Sequence, residues 1–137
     1  ELDMLIVCHA GVLIIEVKNH SGTISGSWRD DKWTQRKHYR DGKVTETMMD
    51  NPIKQMRRQR DIVKSILTAA GENVWIDSVL YFSSPNAKLK ISLRESDYVC
   101  CESTELLEFL KSYDSGETLS KSRMEHIAQI LRESSGV

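Results

Sequence analysis

Two acidic residues and a lysine flank a pair of short apolar segments near the start of the chain. Asp3 comes just before the first segment, and Glu16 and Lys18 end the second. Carboxylate and carbonyl oxygens are the ligands that Mg²⁺ and Mn²⁺ prefer in proteins. The residue types therefore indicate a hard-cation site formed by Asp3, Glu16 and the Val17 carbonyl, with Lys18 balancing charge and orienting a water molecule.

The two apolar segments, residues 4–7 and 12–17, predict the strands of a β-hairpin. Both are rich in β-branched residues, and a short polar break with a glycine separates them. A hairpin loop with an even number of residues sets Asp3 opposite Glu16 or Lys18. Because side chains alternate between the faces of a strand, all three charged residues then share one face.

The alternative at this point is an ordinary solvated strand end. An acidic residue two positions before a lysine is a common pattern, and Asp3, Glu16 and Lys18 would then be surface groups. However, both segments are apolar on both faces, which is typical of strands buried in the middle of a sheet. Charged groups at the end of such strands need partners.

A long amphipathic helix is predicted from Asn51-Pro52 to about Ala70. Asn is a favourable cap, Pro suits the first helical position, and Gly71 ends the helix. Gln55 lies at the edge of the apolar stripe and Gln59 lies inside it, so we expect Gln55 to face the sheet. The alternative is that Gln55 is only a polar residue satisfied at a buried edge.

Basic residues concentrate in the middle of the chain. Residues 28–60 hold ten Lys or Arg side chains against five acidic ones, although the whole chain carries a net charge of −1. Within the predicted helix, Lys54, Arg57 and Arg58 lie away from the apolar stripe and could contact phosphates without sequence preference. The alternative is a solvated charged face. The low net charge argues against a protein built chiefly to coat nucleic acid.

The rest of the chain predicts a mixture of strands and helices. Strands are expected at 23–28, 33–39, 43–47, 75–83, 89–93 and 98–101, and helices at 104–113, with Ser103 as its cap, and at 120–133. This mixture predicts an α/β fold with a central mixed β-sheet flanked by helices, in a single domain spanning residues 1–137. Trp28 and Trp33 are expected to pack together rather than to form a base-stacking surface.

Hydropathy and cysteine content argue against a membrane span, a disulfide framework and a zinc site. No apolar run reaches the roughly 18 residues of a membrane span and no signal peptide is present, so we expect no membrane contact in this segment and, for the domain alone, a cytoplasmic location; a longer parent protein could carry targeting or membrane segments upstream. The cysteines, Cys8, Cys100 and Cys101, cannot all pair, and no ligand spacing joins them to a histidine. Reduced thiols are therefore expected.

Four stretches together resemble the nuclease-related domain (NERD) family. They are Glu-Leu-Asp-Met-Leu-Ile-Val at 1–7, Gly-Val-Leu-Ile-Ile-Glu-Val-Lys-Asn at 11–19, Ser-Gly-Thr-Ile-Ser-Gly at 21–26 and Asn-Pro-Ile-Lys-Gln at 51–55. They arrive in the family's order and cover roughly the first half of the chain. The family is assigned to the PD-(D/E)xK, restriction-endonuclease-like superfamily.

The resemblance implies a restriction-endonuclease-like core and a Mg²⁺- or Mn²⁺-dependent nuclease acting on DNA. It implies that Asp3, Glu16 and Val17 hold the metal, and that Lys18 and Gln55 belong to the active site. Such cores usually include a helix ahead of the first catalytic strand, which supplies another acidic residue in many members. No such helix precedes Asp3 here. We therefore expect an N-terminally truncated domain, with additional domains in the parent protein.

A second hypothesis belongs to a different class of function. The domain could be a nucleic-acid-binding or interaction module that keeps the nuclease fold without useful turnover, because fold does not fix function. DNA is the expected partner under both hypotheses, and RNA stays open. An exposed sheet edge would also favour a homodimer.

Overall fold

The computed structural model describes residues 3–135. Its strands are β1 (Met4–Cys8), β2 (Gly11–Lys18), β3 (Gly22–Ser27), β4 (Lys32–His38), β5 (Val44–Asp50), β6 (Ile76–Phe82), β7 (Ala87–Ser92) and β8 (Val99–Cys100). Its helices are α1 (Pro52–Ala69), α2 (Ser103–Ser112) and α3 (Lys121–Ser135). None of the helices in this part of the chain is both long and apolar enough to cross a membrane.

The strands form two four-stranded mixed sheets. The first sheet has the order β1-β2-β6-β8, in which β1 is antiparallel to β2 and the other pairs are parallel. The second has the order β5-β4-β3-β7, in which only the β3 and β7 pair is parallel. The predicted mixed α/β fold is confirmed, and the architecture is compatible with a restriction-endonuclease-like core.

Alternation along β2 explains why its sequence is apolar on both faces. Val12 and Ile14 point to one side, where they join residues of α1 and α3 in a buried cluster. Leu13 and Ile15 point to the other side, where they pack with residues of α2. Helices thus cover both faces of the first sheet at β2. The expectation of a central position fails for β1, which is the edge strand of its sheet within the described residues.

A third cluster joins the second sheet to α1 and β6. Ile24 and Trp33 of the second sheet are fully buried against Ile53 of α1 and Phe82 of β6. Gly26 makes this packing feasible, because a Cβ at that position would collide with the Trp33 indole. Trp28 packs against the same cluster as Trp33, as predicted.

Several predicted boundaries differ from the observed ones. Strand β5 runs on to Asp50, directly before the cap of α1, instead of ending near residue 47. The sequence predicts Ser103 as the cap of α2, but the helix begins at Ser103, and Glu102 occupies the cap position without a side-chain hydrogen bond. The end of α1 is as predicted, with Ala70 as the C-cap and Gly71 at a positive φ of 86°.

Candidate active site

The β1–β2 hairpin sets the two candidate carboxylates side by side. Met4 pairs with Ile15 and Cys8 pairs with Gly11, so two residues form the turn and the odd pairing expected from the sequence is present. Continued by one position, this register sets Asp3 opposite Glu16. Asp3 Oδ2 accepts a hydrogen bond of 2.9 Å from the Val17 amide, which ties its side chain to β2.

The candidate residues also lie on the face of the sheet that α1 covers. Leu5 on β1 and Ile14 on β2 both contact the cluster formed with α1 and α3. Side chains two residues along a strand share a face, so Asp3, Glu16 and Lys18 continue this face beyond the apolar cluster. Lys18 Nζ lies 3.9 Å from Glu16 Oε1.

Among the three charged side chains Asp3, Glu16 and Lys18, Glu16 is the most buried. It is 5% exposed, and its Oε2 is buried without a hydrogen-bond partner among residues 3–135. Burial, followed by the neighbouring Asp3 carboxylate, raises the pKa of Glu16 above its ordinary value, while Lys18 and Gln59 act in the opposite direction. A buried carboxylate with an unused oxygen is costly, and an additional cation would relieve that cost.

The donor set fits a hard divalent cation. Residues 3–135 contain no cluster of three or more His, Cys, Asp or Glu side chains that could hold a metal ion. Mg²⁺, however, usually keeps several waters and is bound by only one or two carboxylates. The unused oxygen of Glu16 beside the exposed Asp3 carboxylate meets this requirement, with the Val17 carbonyl as the expected third ligand.

Gln59 of α1 is a site residue for which the sequence predicted no role. Its side chain interacts with Glu16 and lowers the pKa of that carboxyl. The signal was present in the sequence, because Gln59 is a polar residue inside the apolar stripe of α1. A polar side chain in such a stripe needs a polar partner on the covered element.

Gln55 stands one helical turn before Gln59 on the same side of α1. It is half-buried, as expected for a residue at the edge of the stripe. The structure gives no hydrogen bond from its side chain to Glu16 or Lys18 within residues 3–135. Its role in the active site therefore stays a prediction.

Asn51 fixes the start of α1 more firmly than a cap alone would. Its side-chain oxygen accepts hydrogen bonds from the amides of Ile53 and Lys54, which confirms the predicted cap. Its amide nitrogen donates to three carbonyl oxygens of the β3–β4 connection, at distances between 2.7 and 3.3 Å. Asn51 is 1% exposed. The first turn of α1, with Gln55, is thereby held against the second sheet.

The three basic residues expected to contact nucleic acid lie in different surroundings. Lys54 forms an ion pair with Asp31 at 2.8 Å. Arg57 is held by the buried Asp97 carboxylate at 3.2 Å, and its guanidinium lies 5.5 Å from the centre of the Trp28 ring. A structural role therefore competes with phosphate contact at Arg57.

Arg58 is exposed and belongs to a charged group beside Lys18. The hydrogen-bonded Lys32 ammonium holds the pKa of Asp50 below its usual value, and the charges of Arg58 and Lys18 lower it further. Three cations thus surround one exposed carboxylate at the end of β5. Of the three predicted contacts, Arg58 is the exposed one, and it acts on the same carboxylate as Lys18 of the candidate site.

Comparison with known proteins identifies the family to which the chain belongs. No curated protein and no solved structure matches the chain. The model of the nuclease-related domain family matches residues 1–83, which include Asp3, Glu16, Lys18 and Gln55 and extend through β6. The matched part is more than half of the 137 residues, and the chain therefore belongs to the nuclease-related domain family.

Proposed function

We propose that this domain is a metal-dependent nuclease that hydrolyses the phosphodiester bonds of DNA. The observation that carries the proposal is the surroundings of Glu16. Its buried carboxylate has an unused oxygen and lies between the Asp3 carboxylate and the Lys18 ammonium, on one face of the sheet. Membership of the nuclease-related domain family supports the same reaction class. The cytoplasmic location predicted from the sequence belongs to this proposal.

Asp3, Glu16 and the Val17 carbonyl would hold Mg²⁺ or Mn²⁺. When bound, such an ion supplies Lewis-acid polarisation of a phosphoryl oxygen and a lowered pKa for a coordinated water. Lys18 would orient the attacking water and stabilise the charge that develops on the phosphate. Gln55 would hold a substrate oxygen, and Gln59 would position Glu16 through its interaction with that carboxylate.

The second candidate function is a non-catalytic module that binds nucleic acid. The observation that favours it is that the described residues bring only two acidic side chains to the site. Such a module would bind DNA without metal-dependent turnover. It would also keep its affinity when the Glu16 and Lys18 side chains are removed.

Cleavage of supercoiled plasmid with Mg²⁺, Mn²⁺ or EDTA separates the two candidates. Wild-type protein should nick the plasmid with either metal and not in EDTA. The Lys18→Ala variant should lose about 100-fold or more of the rate, because a donor placed at developing charge is worth that much. Lys111→Ala, at an exposed position in α2, is the matched control and should keep the wild-type rate. Equal nicking by all three proteins would reject Lys18 as a catalytic residue.

A further inference from the structure

On the outer face of the second sheet, the outward side chains of the central strand β3 are all short, and they form the floor of a groove. Along β3, Ile24 points inward and is fully buried, so Thr23, Ser25 and Ser27 point outward by alternation. The central strand therefore presents only short hydroxyl side chains on this face. Around Thr23 and Ser25 these short side chains have longer neighbours, which leaves a shallow groove in this part of the face.

Basic residues on the neighbouring strands form the walls of this groove. Thr23 is paired with Arg36 of β4 on one side and with Lys88 of β7 on the other. Two residues further along β3, Ser25 is paired with Lys90 of β7. Paired residues point to the same face, so the three cations flank the hydroxyl floor, and all three are exposed. The walls lie roughly 10 Å apart, because adjacent strands are about 4.8 Å apart.

The positive charge of the β7 wall is not compensated locally. Lys88 and Lys90 form no ion pair with any residue in 3–135, and neither β3 nor β7 contains an acidic residue. On the opposite wall Arg36 faces Glu46 across the β4–β5 pair, without an ion pair between them in the same range. Beside Thr23 and Ser25 the groove is therefore lined by three cations against one acidic neighbour, Glu46, and carries a net positive charge there.

One end of the groove lies close to the candidate active site along the chain. Strand β2 ends at Lys18 and β3 begins at Gly22, so the site and the groove are separated by only a short connection. A cavity of about 370 Å³ opens at this end, and its lining includes Thr23, Arg36 and Lys88.

We propose that this groove binds the sugar-phosphate backbone of a nucleic-acid strand and leads it towards the candidate active site. Lysine, arginine and hydroxyl side chains are the groups that proteins use for phosphate contacts without sequence preference. The floor offers no apolar side chain that could enter a lipid layer, and the exposed Met48 of this face lies two strands away on β5, which favours a nucleic acid over an anionic membrane surface at the groove itself. The binding itself does not depend on the proposed nuclease function; only the statement that the nucleic acid is led towards the active site rests on it.

Binding can be measured without cleavage. We would measure fluorescence anisotropy of labelled single- and double-stranded DNA in EDTA over a series of salt concentrations. The Lys88→Gln/Lys90→Gln variant should bind several-fold more weakly. Its slope of log affinity against log salt should be shallower by about 1.4 to 1.8, since each phosphate that a lysine neutralises adds about 0.7 to 0.9 to the slope. Thermal unfolding should show that the variant is folded, because both lysines are exposed.

The matched control is Lys111→Gln/Lys121→Gln, which removes two exposed lysines from the helices. It should keep the wild-type affinity and salt slope. Equal reductions of affinity in the two variants, or no reduction in either, would overturn the proposal. So would lysine-dependent binding to vesicles of anionic lipid by a protein that does not bind DNA.

The outcome is distinguishable from that of the nuclease proposal. Binding that depends on Lys88 and Lys90 without any metal-dependent nicking would support the groove and reject the nuclease. Metal-dependent nicking with DNA binding that is unchanged in Lys88→Gln/Lys90→Gln would support the nuclease and reject the groove.

Discussion

The Asp3 carboxylate accepts a hydrogen bond of 2.9 Å from the backbone amide of Val17. Val17 lies between Glu16 and Lys18, so this bond crosses the hairpin at the point where the candidate site forms. The β1–β2 register and this hydrogen bond to the backbone of β2 therefore set the position of Asp3. The same register sets the Asp3 carboxylate next to Glu16, whose pKa it helps to raise.

The raised pKa of Glu16 predicts how stability depends on pH. The folded chain holds the Glu16 proton more tightly than the unfolded chain, because burial and the Asp3 charge disfavour the carboxylate. The stability that Glu16 contributes is therefore fully present below its ordinary pKa of 4.5 and is lost as pH rises through the folded value. Glu16→Gln, which stays neutral, should have a higher free energy of unfolding than wild type at pH 7 in EDTA.

Urea unfolding at several pH values checks this prediction. The difference between Glu16→Gln and wild type should disappear at low pH, where Glu16 is protonated. Glu108→Gln, an exposed position in α2, is the control and should follow wild type throughout. A Glu16→Gln variant less stable than wild type at pH 7 would contradict a net cost of burying the charged carboxylate.

Asn51 provides a test of the scaffold that holds α1. Asp is as good a helix cap as Asn, so a residue that acted only as a cap would tolerate Asn51→Asp. The Asn51 amide also donates to three carbonyl oxygens in a buried position, and a carboxylate there would face those oxygens without a donor. We expect Asn51→Asp to lose about 2 to 4 kcal/mol of unfolding free energy. A loss below about 0.5 kcal/mol would show that the cap is the whole role.

Two neighbouring arginines of α1 should respond differently to substitution. Arg57→Ala removes one of the two arginine partners of the buried Asp97 carboxylate, which keeps Arg94, and also a contact with Trp28, and should lower the unfolding free energy by about 1 to 3 kcal/mol. Arg58→Ala should change stability by less than about 0.5 kcal/mol, because its side chain is exposed. Arg58→Ala should instead weaken DNA binding. Urea unfolding and anisotropy separate these effects, and equal unfolding free energies for the two variants would contradict the assignment.

The elements that the sequence predicted well are those with a local signal. The hairpin, the shared face of Asp3, Glu16 and Lys18, and the limits of α1 follow from alternation, turn residues and capping chemistry. The central position predicted for β1 was wrong, because periodicity reports burial and not the order of strands in a sheet. The division of the strands into two sheets likewise depends on pairings between distant segments.

Polar contacts between distant segments could not be predicted from the sequence either, because local patterns do not show which segments meet. The Asp77 carboxylate accepts a hydrogen bond from the nearby Trp75 indole, but it also accepts one from the Tyr113 hydroxyl at 2.8 Å, and Tyr113 lies 36 residues away in the chain. The sequence does not show that Arg57 differs from the exposed basic residues beside it in α1. Its partner, Asp97, lies forty residues away in the chain. Gln59 was identified as a polar residue in an apolar stripe, but its partner Glu16 lies on another element.

Metal binding tests the central claim most directly, because it measures the site itself. Titration of the domain with Mn²⁺, followed by the electron paramagnetic resonance signal of the free ion, should reveal one site in wild-type protein. Affinity should fall at least about tenfold in Glu16→Gln, which loses a ligand, and should be unchanged in Glu108→Gln. Equal Mn²⁺ affinity in all three proteins would contradict the assignment of Glu16, with Asp3, as the metal site.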